Sequence, residues 1–323
     1  MFTIYIAIGI GRENNWVRVY AGGSHSSVSL RDGHLGATAE GTSGKVRLKL
    51  VKYIELGTDV GSSFYLFTHT PCTAIKASPG RGYEVTTPRG VIETRHVVHA
   101  TNAWASHLLP GLRERIVPLR GIVNAQIPST GLGWDGTRSF VFFPRDSMDA
   151  FDYMTQQPTG EAGSTGKYPS PSGEVMFGGG MLLSKGWIED VGNTDDRSWN
   201  PDTGRHLAGA LNGYFGARAA VAAVWSGIMG MSTDDAPWVG RVPEWLSGRT
   251  GGDAGPGEWI AAGYSGEGMV HSWLSGRAVA EMVAEMAGGG GDGTVPRAMK
   301  VGRGRWAATG VEDAVVRLAH VRK

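Results

Sequence analysis

Short runs of alternating apolar and polar residues, cut by glycine, proline and serine clusters, dominate the first half of the chain and predict β-strands joined by tight turns. Residues 1–57 carry runs such as Trp16, Val17, Arg18, Val19 and Tyr20 between Gly and Ser clusters. From residue 63 the pattern sharpens. Strands are predicted over 64–70, 74–77, 83–86 and 91–93, separated by Ser78-Pro79-Gly80 and Pro88-Arg89-Gly90, which reads as a small antiparallel meander. The apolar strand 95–100 then enters Thr101-Asn102-Ala103-Trp104-Ala105, where a short helix starts with Thr101 or Asn102 as its cap. A strand running into a capped turn is a common place for a ligand.

Further strand patterns cover 116–128, 139–155 and 174–178, with loops at 131–136 and 158–173. A helix is expected over 202–216 from the spacing of Leu207, Leu211 and Tyr214, although Gly209 and Gly213 lower its propensity. Segments 221–226 and 259–262 read as buried strands. The strongest helical pattern is 269–287, with Leu274, Ala278, Met282, Val283 and Met286 assigned to one apolar face. No internal repeat is visible.

Composition narrows the class. The 323 residues exceed one typical domain of ~100–150 residues, and 51 glycines call for many turns and close backbone approaches, while 41 % hydrophobic residues and 11 Trp exclude wholesale disorder. Lys and Arg (31) balance Asp and Glu (30), so the charge of +1 provides no broad field for nucleic acid or an anionic membrane. The single Cys72 excludes an internal disulfide framework and any multi-cysteine zinc site. The apolar opening 2–10 lacks a basic flank and a cleavage signal, and no apolar run reaches ~18 residues, so a soluble, cytoplasmic protein is expected.

Two segments carry candidate chemistry. In the first, a short apolar strand leads through Gly263-Tyr264-Ser265-Gly266-Glu267-Gly268-Met269 into the long helix. Its glycines admit a ligand close to the backbone, and the free amides at the helix start favour an acceptor that carries or acquires negative charge. No Lys follows the glycines as a phosphate-binding P-loop requires, and a plain tight turn is the competing reading. The second segment is 224–240, with a strand, a glycine turn, the pair Asp234-Asp235 and a Pro237-Trp238 anchor.

Taken in order, Ala100 to Trp104, Pro118-Leu119-Arg120-Gly121, Gly178-Gly179-Gly180, Trp225 to Gly240 and Gly263 to Met269 resemble the carboxy-terminal two thirds of FAD-dependent oxidoreductases of the D-amino-acid oxidase and glycine oxidase type. The resemblance implies an α/β fold, in which a Rossmann-like FAD-binding domain, incomplete at its amino end, interleaves with an α+β substrate domain on a mixed or antiparallel sheet. The expected boundaries are 1–115 with 220–290 for the FAD-binding domain, 116–219 for the substrate domain, and 291–323 for a tail. Gly263, Ser265, Gly266, Glu267, Gly268 and Met269 would then face the cofactor, the last four against the pyrimidine end of the flavin. Ala100, Thr101, Asn102 and Trp104, together with the strand around Cys72, would lie near the FAD dinucleotide, and Trp225 would border the flavin. The implied activity is oxidation of an amine or amino acid at a C–N bond, with hydride passing to the flavin and dioxygen as acceptor; no catalytic side chain is identifiable.

For the family's opening unit, a strand, GxGxxG and a helix, the only candidate here is Ile8-Gly9-Ile10-Gly11-Arg12-Glu13-Asn14, with Asn14 where the third glycine should be and strand-like alternation after it. The segment reads as a strand and turn. The faint likeness of Arg31-Asp32-Gly33-His34-Leu35 to a family stretch near the flavin would place the missing unit upstream. Without a pyrophosphate loop, FAD affinity is expected to fall at least about a hundredfold. The alternative is therefore a truncated, non-catalytic remnant that serves as a binding or interaction module, or an incomplete gene model of such an enzyme. His96 and His99 fall on opposite faces of one strand and read as ordinary strand histidines, Asp195-Asp196, Asp234-Asp235 and Glu312-Asp313 as solvated pairs, and Cys72 itself as a small buried apolar residue. No metal site is expected.

Overall fold

The computed structural model describes residues 3–10, 15–22, 27–31, 34–38, 65–67, 69–78, 81–129, 132–134, 138–143, 151–157, 173–181, 187–250, 257–285, 295–308 and 310–312. Its strands are β1 (Thr3–Ile10), β2 (Asn15–Gly22), β3 (Ser27–Arg31), β4 (His34–Thr38), β5 (Tyr65–Leu66), β6 (Ala74–Ser78), β7 (Gly82–Thr87), β8 (Gly90–Thr94) and β9 (His96–His99). They continue with β10 (Ile116–Pro128), β11 (Ser139–Phe142), β12 (Asp152–Gln156), β13 (Val175–Gly179), β14 (Ala219–Ser232), β15 (Trp238–Arg241) and β16 (Gly257–Ala262). The α-helices are α1 (Ala105–Leu108), α2 (Pro201–Phe215), α3 (Glu244–Ser247), α4 (Gly268–Glu285) and α5 (Arg303–Ala308). Two compact units result, one from residues 1–117 and 230–311, the other from 118–229 and 312–323.

In the first unit the sheet order is β15-β16-β9-β1-β2-β5. β9 and β16 pair in parallel with Val98 opposite Trp259, so the apolar runs at 97–98 and 259–260 are hydrogen-bonded neighbours. Every residue of β9 and β16 is buried, as expected of strands covered on both faces. Alternation along β16 explains this. Trp259 and Ala261 pack with Val98, Ala278, Val279, Met282 and Val283, whereas Ile260 and Ala262 pack with Leu109, Leu112, Ile116, Trp238 and Leu246. Burying Val279, Met282 and Val283 contributes about 1.5–3 kcal/mol each.

The apolar face of α4 is narrower than its sequence suggests. Ser275, Ala278, Val279, Met282 and Val283 form the buried stripe, while Leu274 is 64 % exposed, because the stripe follows positions 275, 278/279 and 282 and Leu274 lies about a quarter turn away. Met286 lies outside the described residues. β1 and β2 form an antiparallel hairpin with Ile10 opposite Asn15, so the strand reading of 15–20 holds, and β3 pairs with β4. β6, β7 and β8 form the antiparallel meander. Of the strand expected over 64–70, Tyr65–Leu66 is formed and Phe67, His69 and Thr70 are outside any strand, while Phe64 and Thr68 lie outside the described residues.

The second unit is built on the sheet β11-β12-β13-β10-β14. Strand pattern 139–155 resolves into β11 and β12. The helix starts where sequence chemistry says it should: the Asn200 side chain accepts from the Asp202 amide, Pro201 takes the first helical position, and Gly216 ends the helix in the left-handed region at φ +65°. Leu207 and Leu211 pack with Ile122, Met154, Val175 and Phe177. The segment expected as a buried strand at 221–226 belongs to β14, but Val221 is 40 % exposed and none of the six residues is buried, since β14 is an edge strand of this sheet.

Asp152 is buried on β12 and accepts from His206 Nε2 at 2.7 Å and from the Tyr214 hydroxyl at 2.8 Å, tying α2 to the sheet. The Asp152 hydrogen bond raises the His206 pKa above its ordinary value, against the opposing effect of burial. A raised folded pKa stabilises fully below the unfolded value of 6.5 and loses that contribution as pH rises through the higher folded value. The melting temperature should therefore fall as pH rises through this window and stay level in His206→Gln, whose amide still donates to Asp152; parallel pH profiles would count against the pair.

Candidate functional site

Three segments distant in sequence meet at one junction in the first unit. Asn102 follows β9 with φ +44°, and its Oδ1 accepts from the amides of Gly263 at 3.0 Å and Tyr264 at 3.2 Å. Asn tolerates the left-handed region better than most residues because its short polar side chain bonds locally. Neither Thr101 nor Asn102 caps the following helix with its side chain, as the sequence suggested; Asn102 is committed to the loop instead. Gly230, near the end of β14, must be glycine, since a Cβ there would lie 2.7 Å from both the Ala103 nitrogen and Asn102 Oδ1. The Ser265 amide donates to the Gly230 carbonyl at 2.9 Å, and the Ser232 amide donates to Ser265 Oγ at 2.9 Å.

These bonds hold Ser265 at φ +51°, a conformation that costs a non-glycine residue about 1–2 kcal/mol. Gly263 (φ +78°) sits against Ile116, whereas Gly266 (φ +91°) has open space where a Cβ would be. Glu267 closes the turn onto the Tyr264 carbonyl at 2.8 Å. The amides of Gly266, Gly268 and Met269 find no acceptor among the described residues. They lie at the start of the 18-residue α4, where the helix places about half a positive charge. Gly266, Glu267 and Met269 are exposed. The arrangement is a preorganised set of backbone donors, suited to a planar acceptor edge that gains electron density.

The other expected residues lie elsewhere. Thr101 is buried with an unpartnered Oγ1 among the described residues, and Trp104 lies in the single helical turn after it. Cys72 packs with Ile75, Tyr83, Val97 and Leu108, and its thiol donates to the Ala74 carbonyl. Burial pushes that thiol up to about 11, which suits a core residue. Trp225 is on β14 within the second unit. Trp238 and Trp259 are buried, whereas Trp273 is exposed on α4. Asp234 departs from the solvated pair expected at 234–235, because Arg305 binds both of its carboxylate oxygens.

His96 and His99 do face opposite sides. His96 Nδ1 accepts from the Gly257 amide at 3.2 Å, and burial holds its pKa down at about 4, with the nearby Arg95 and Arg241 charges adding to the effect. His99 Nε2 donates to Glu258 at 2.7 Å, and Arg249 grips both Glu258 oxygens at 2.7 Å. Burial would raise the Glu258 pKa, but the bonds from Arg249 and His99 outweigh it and hold the carboxyl at about 2. Among the described residues no cluster of three or more His, Cys, Asp or Glu could hold a metal ion, and no helix is long and apolar enough to cross a membrane.

A family model described as FAD dependent oxidoreductase matches residues 65–282. Among solved structures the chain is similar to glycine oxidase from Geobacillus kaustophilus, with 20 % identity and a TM-score of 0.44 over 69 % of this chain and 49 % of that one. It is similar to iminodiacetate oxidase from Chelativorans sp. BNC1 at 18 % identity and TM-score 0.47, covering 72 % of this chain and 52 % of that one. For fructosyl amine:oxygen oxidoreductase from Aspergillus fumigatus the values are 12 %, 0.49, 79 % and 52 %. The chain spans about half the length of these proteins. No curated protein matches it.

Proposed function

The chain belongs to the FAD dependent oxidoreductase family, and from that premise we propose that it binds FAD at the junction of Asn102, Gly230 and the loop 263–269 and takes part in oxidising the C–N bond of a small amine or amino acid. The observation that carries this reading is the set of unpaired amides at Gly266, Gly268 and Met269, on a loop that Asn102 and Ser265 hold in place. These donors fit the pyrimidine edge of an isoalloxazine, where reduction places negative charge. Bound FAD would supply the hydride acceptor. The contribution of this chain is orientation and charge stabilisation: loop amides aimed at one edge, Gly266 leaving room for close approach, and the dipole of α4 behind them.

Dioxygen is the proposed final acceptor, and the second unit, on its antiparallel sheet, is the proposed substrate domain. β1 and β2 pair as antiparallel strands, so residues 3–22 supply no strand-to-helix turn for a pyrophosphate, and the chain as given is expected to bind FAD weakly. The test is anaerobic: with FAD in excess, a panel of primary and secondary amines and amino acids is added and the visible flavin absorbance followed. Bleaching by a member of the panel supports the reading. A flavin that binds but is reduced by no amine would leave a binding module as the better account.

A further inference from the structure

We infer that Arg305, on α5, is a positioning residue for the loop 263–269, which it holds through Asp234 and Ser232. This inference rests on the reading of that loop as the flavin contact. Arg305 Nε and Nη2 donate to the two oxygens of Asp234 at 2.5 and 2.7 Å, Nη1 donates to the Pro237 carbonyl at 2.9 Å, and Nη2 also donates to the Ala236 carbonyl. The guanidinium carbon lies 4.0 Å from the centre of the Trp238 ring. Such a planar, multidentate fit is available to Arg and denied to Lys.

The contacts continue without a break to the loop. Asp234 Oδ1 accepts from Ser232 Oγ at 2.6 Å, Trp238 Nε1 donates to the same Oγ at 3.1 Å, and the Ser232 amide donates to Ser265 Oγ at 2.9 Å. Arg305 therefore fixes the turn that fixes the Ser232 amide, and that amide helps hold Ser265 in its left-handed conformation. Burial opposes the charged form of Asp234, but Arg305 and Ser232 outweigh it and keep the carboxyl below its ordinary pKa. The helix is itself anchored, with Trp306 Nε1 donating to the Gly111 carbonyl at 2.6 Å and Arg115 Nε to the Trp306 carbonyl at 2.8 Å. In the absence of Arg305, Asp234 loses its charged partner and keeps only the Ser232 hydroxyl and the Ala236 amide, two carbonyls lose a donor, the turn relaxes, and the amides at 266, 268 and 269 are no longer preorganised.

The test compares amide hydrogen exchange in wild type, Arg305→Met, Arg305→Lys and Ser265→Ala, without flavin, followed by FAD titration. Exchange at the hydrogen-bonded amides of the segment 265–270, those of Ser265, Glu267 and Val270, should rise about tenfold or more in Arg305→Met and Ser265→Ala and less in Arg305→Lys, while amides of β9 and β16 exchange as in wild type. FAD affinity should fall about tenfold or more in the same order. Unchanged exchange at 265–270, or an equal rise across β9 and β16, overturns the inference. If Arg305→Met does not fold, Arg305→Lys and Ser265→Ala decide it on the same criterion. Loop exchange that responds as expected in a wild type that takes up no FAD would sustain the positioning role and remove the flavin reading; FAD binding with a loop indifferent to Arg305 would do the reverse.

Discussion

Arg249→Met should destabilise the first unit by about 3–5 kcal/mol. Glu258 is 3 % exposed and Arg249 supplies two of its three hydrogen bonds, so truncating the guanidinium leaves a buried carboxylate with His99 alone. Arg249 also donates to the Leu108 carbonyl at 2.9 Å, which loses its donor as well. The cost comes from the charge left behind and not from the pair's net worth, so Glu258→Gln should be milder than Arg249→Met. The pH dependence has a definite sign. The Glu258 carboxyl is depressed from 4.5 to about 2, so its contribution is present above 4.5 and is lost as pH falls through about 2. Urea denaturation at neutral pH and at pH values spanning that window measures both effects. Equal stability of wild type and Arg249→Met at neutral pH would show that the triad is not holding this unit together.

Asn102→Ala carries the second large effect, and it falls on the loop. The Asn102 carbonyl oxygen is the acceptor for two buried amides, those of Gly263 and Tyr264, and leaving each unsatisfied costs about 1–3 kcal/mol. Alanine also tolerates φ +44° less well than asparagine, adding about 1 kcal/mol. Asn102→Asp keeps both the acceptor and the conformational tolerance, so it should retain most of the stability that Asn102→Ala loses. Part of the loss will be recovered by relaxation of the loop, and that relaxation is what should weaken flavin binding. Thermal melts of the two variants side by side check the stability half of this expectation; identical melting temperatures would contradict it.

How much of this was legible in the sequence depends on the range of the interaction. Helix α2 was readable from the spacing of Leu207, Leu211 and Tyr214, with its ends fixed by a cap, a first-turn proline and a terminal glycine that are all local, and β16 was readable from its apolar part 259–262, because a run buried on both faces is apolar. The loop 263–269 was readable as a donor-rich turn from its glycines alone. The role of Asn102 was assigned to the wrong bond, since a cap is the default for Asn at a helix start and its true partners lie 161 and 162 residues away. Leu274 fits a helical stripe on paper, yet only the packing of α4 on β15 and β16 decides which of two adjacent stripes is buried. Arg305 gave no signal at all, because one arginine in a mildly basic stretch looks like solvated charge until Asp234, 71 residues earlier, is placed beside it.

Flavin binding at the loop tied down by Asn102, as proposed, is read out by fluorescence titration of FAD against wild type, Asn102→Asp and Asn102→Ala. Wild type should show saturable quenching, Asn102→Asp should bind within about tenfold of it, and Asn102→Ala should bind more weakly than either by about tenfold or more, corresponding to at least about 1.4 kcal/mol. Equal affinities for all three proteins, or no saturable binding in wild type with FAD in excess, would contradict it.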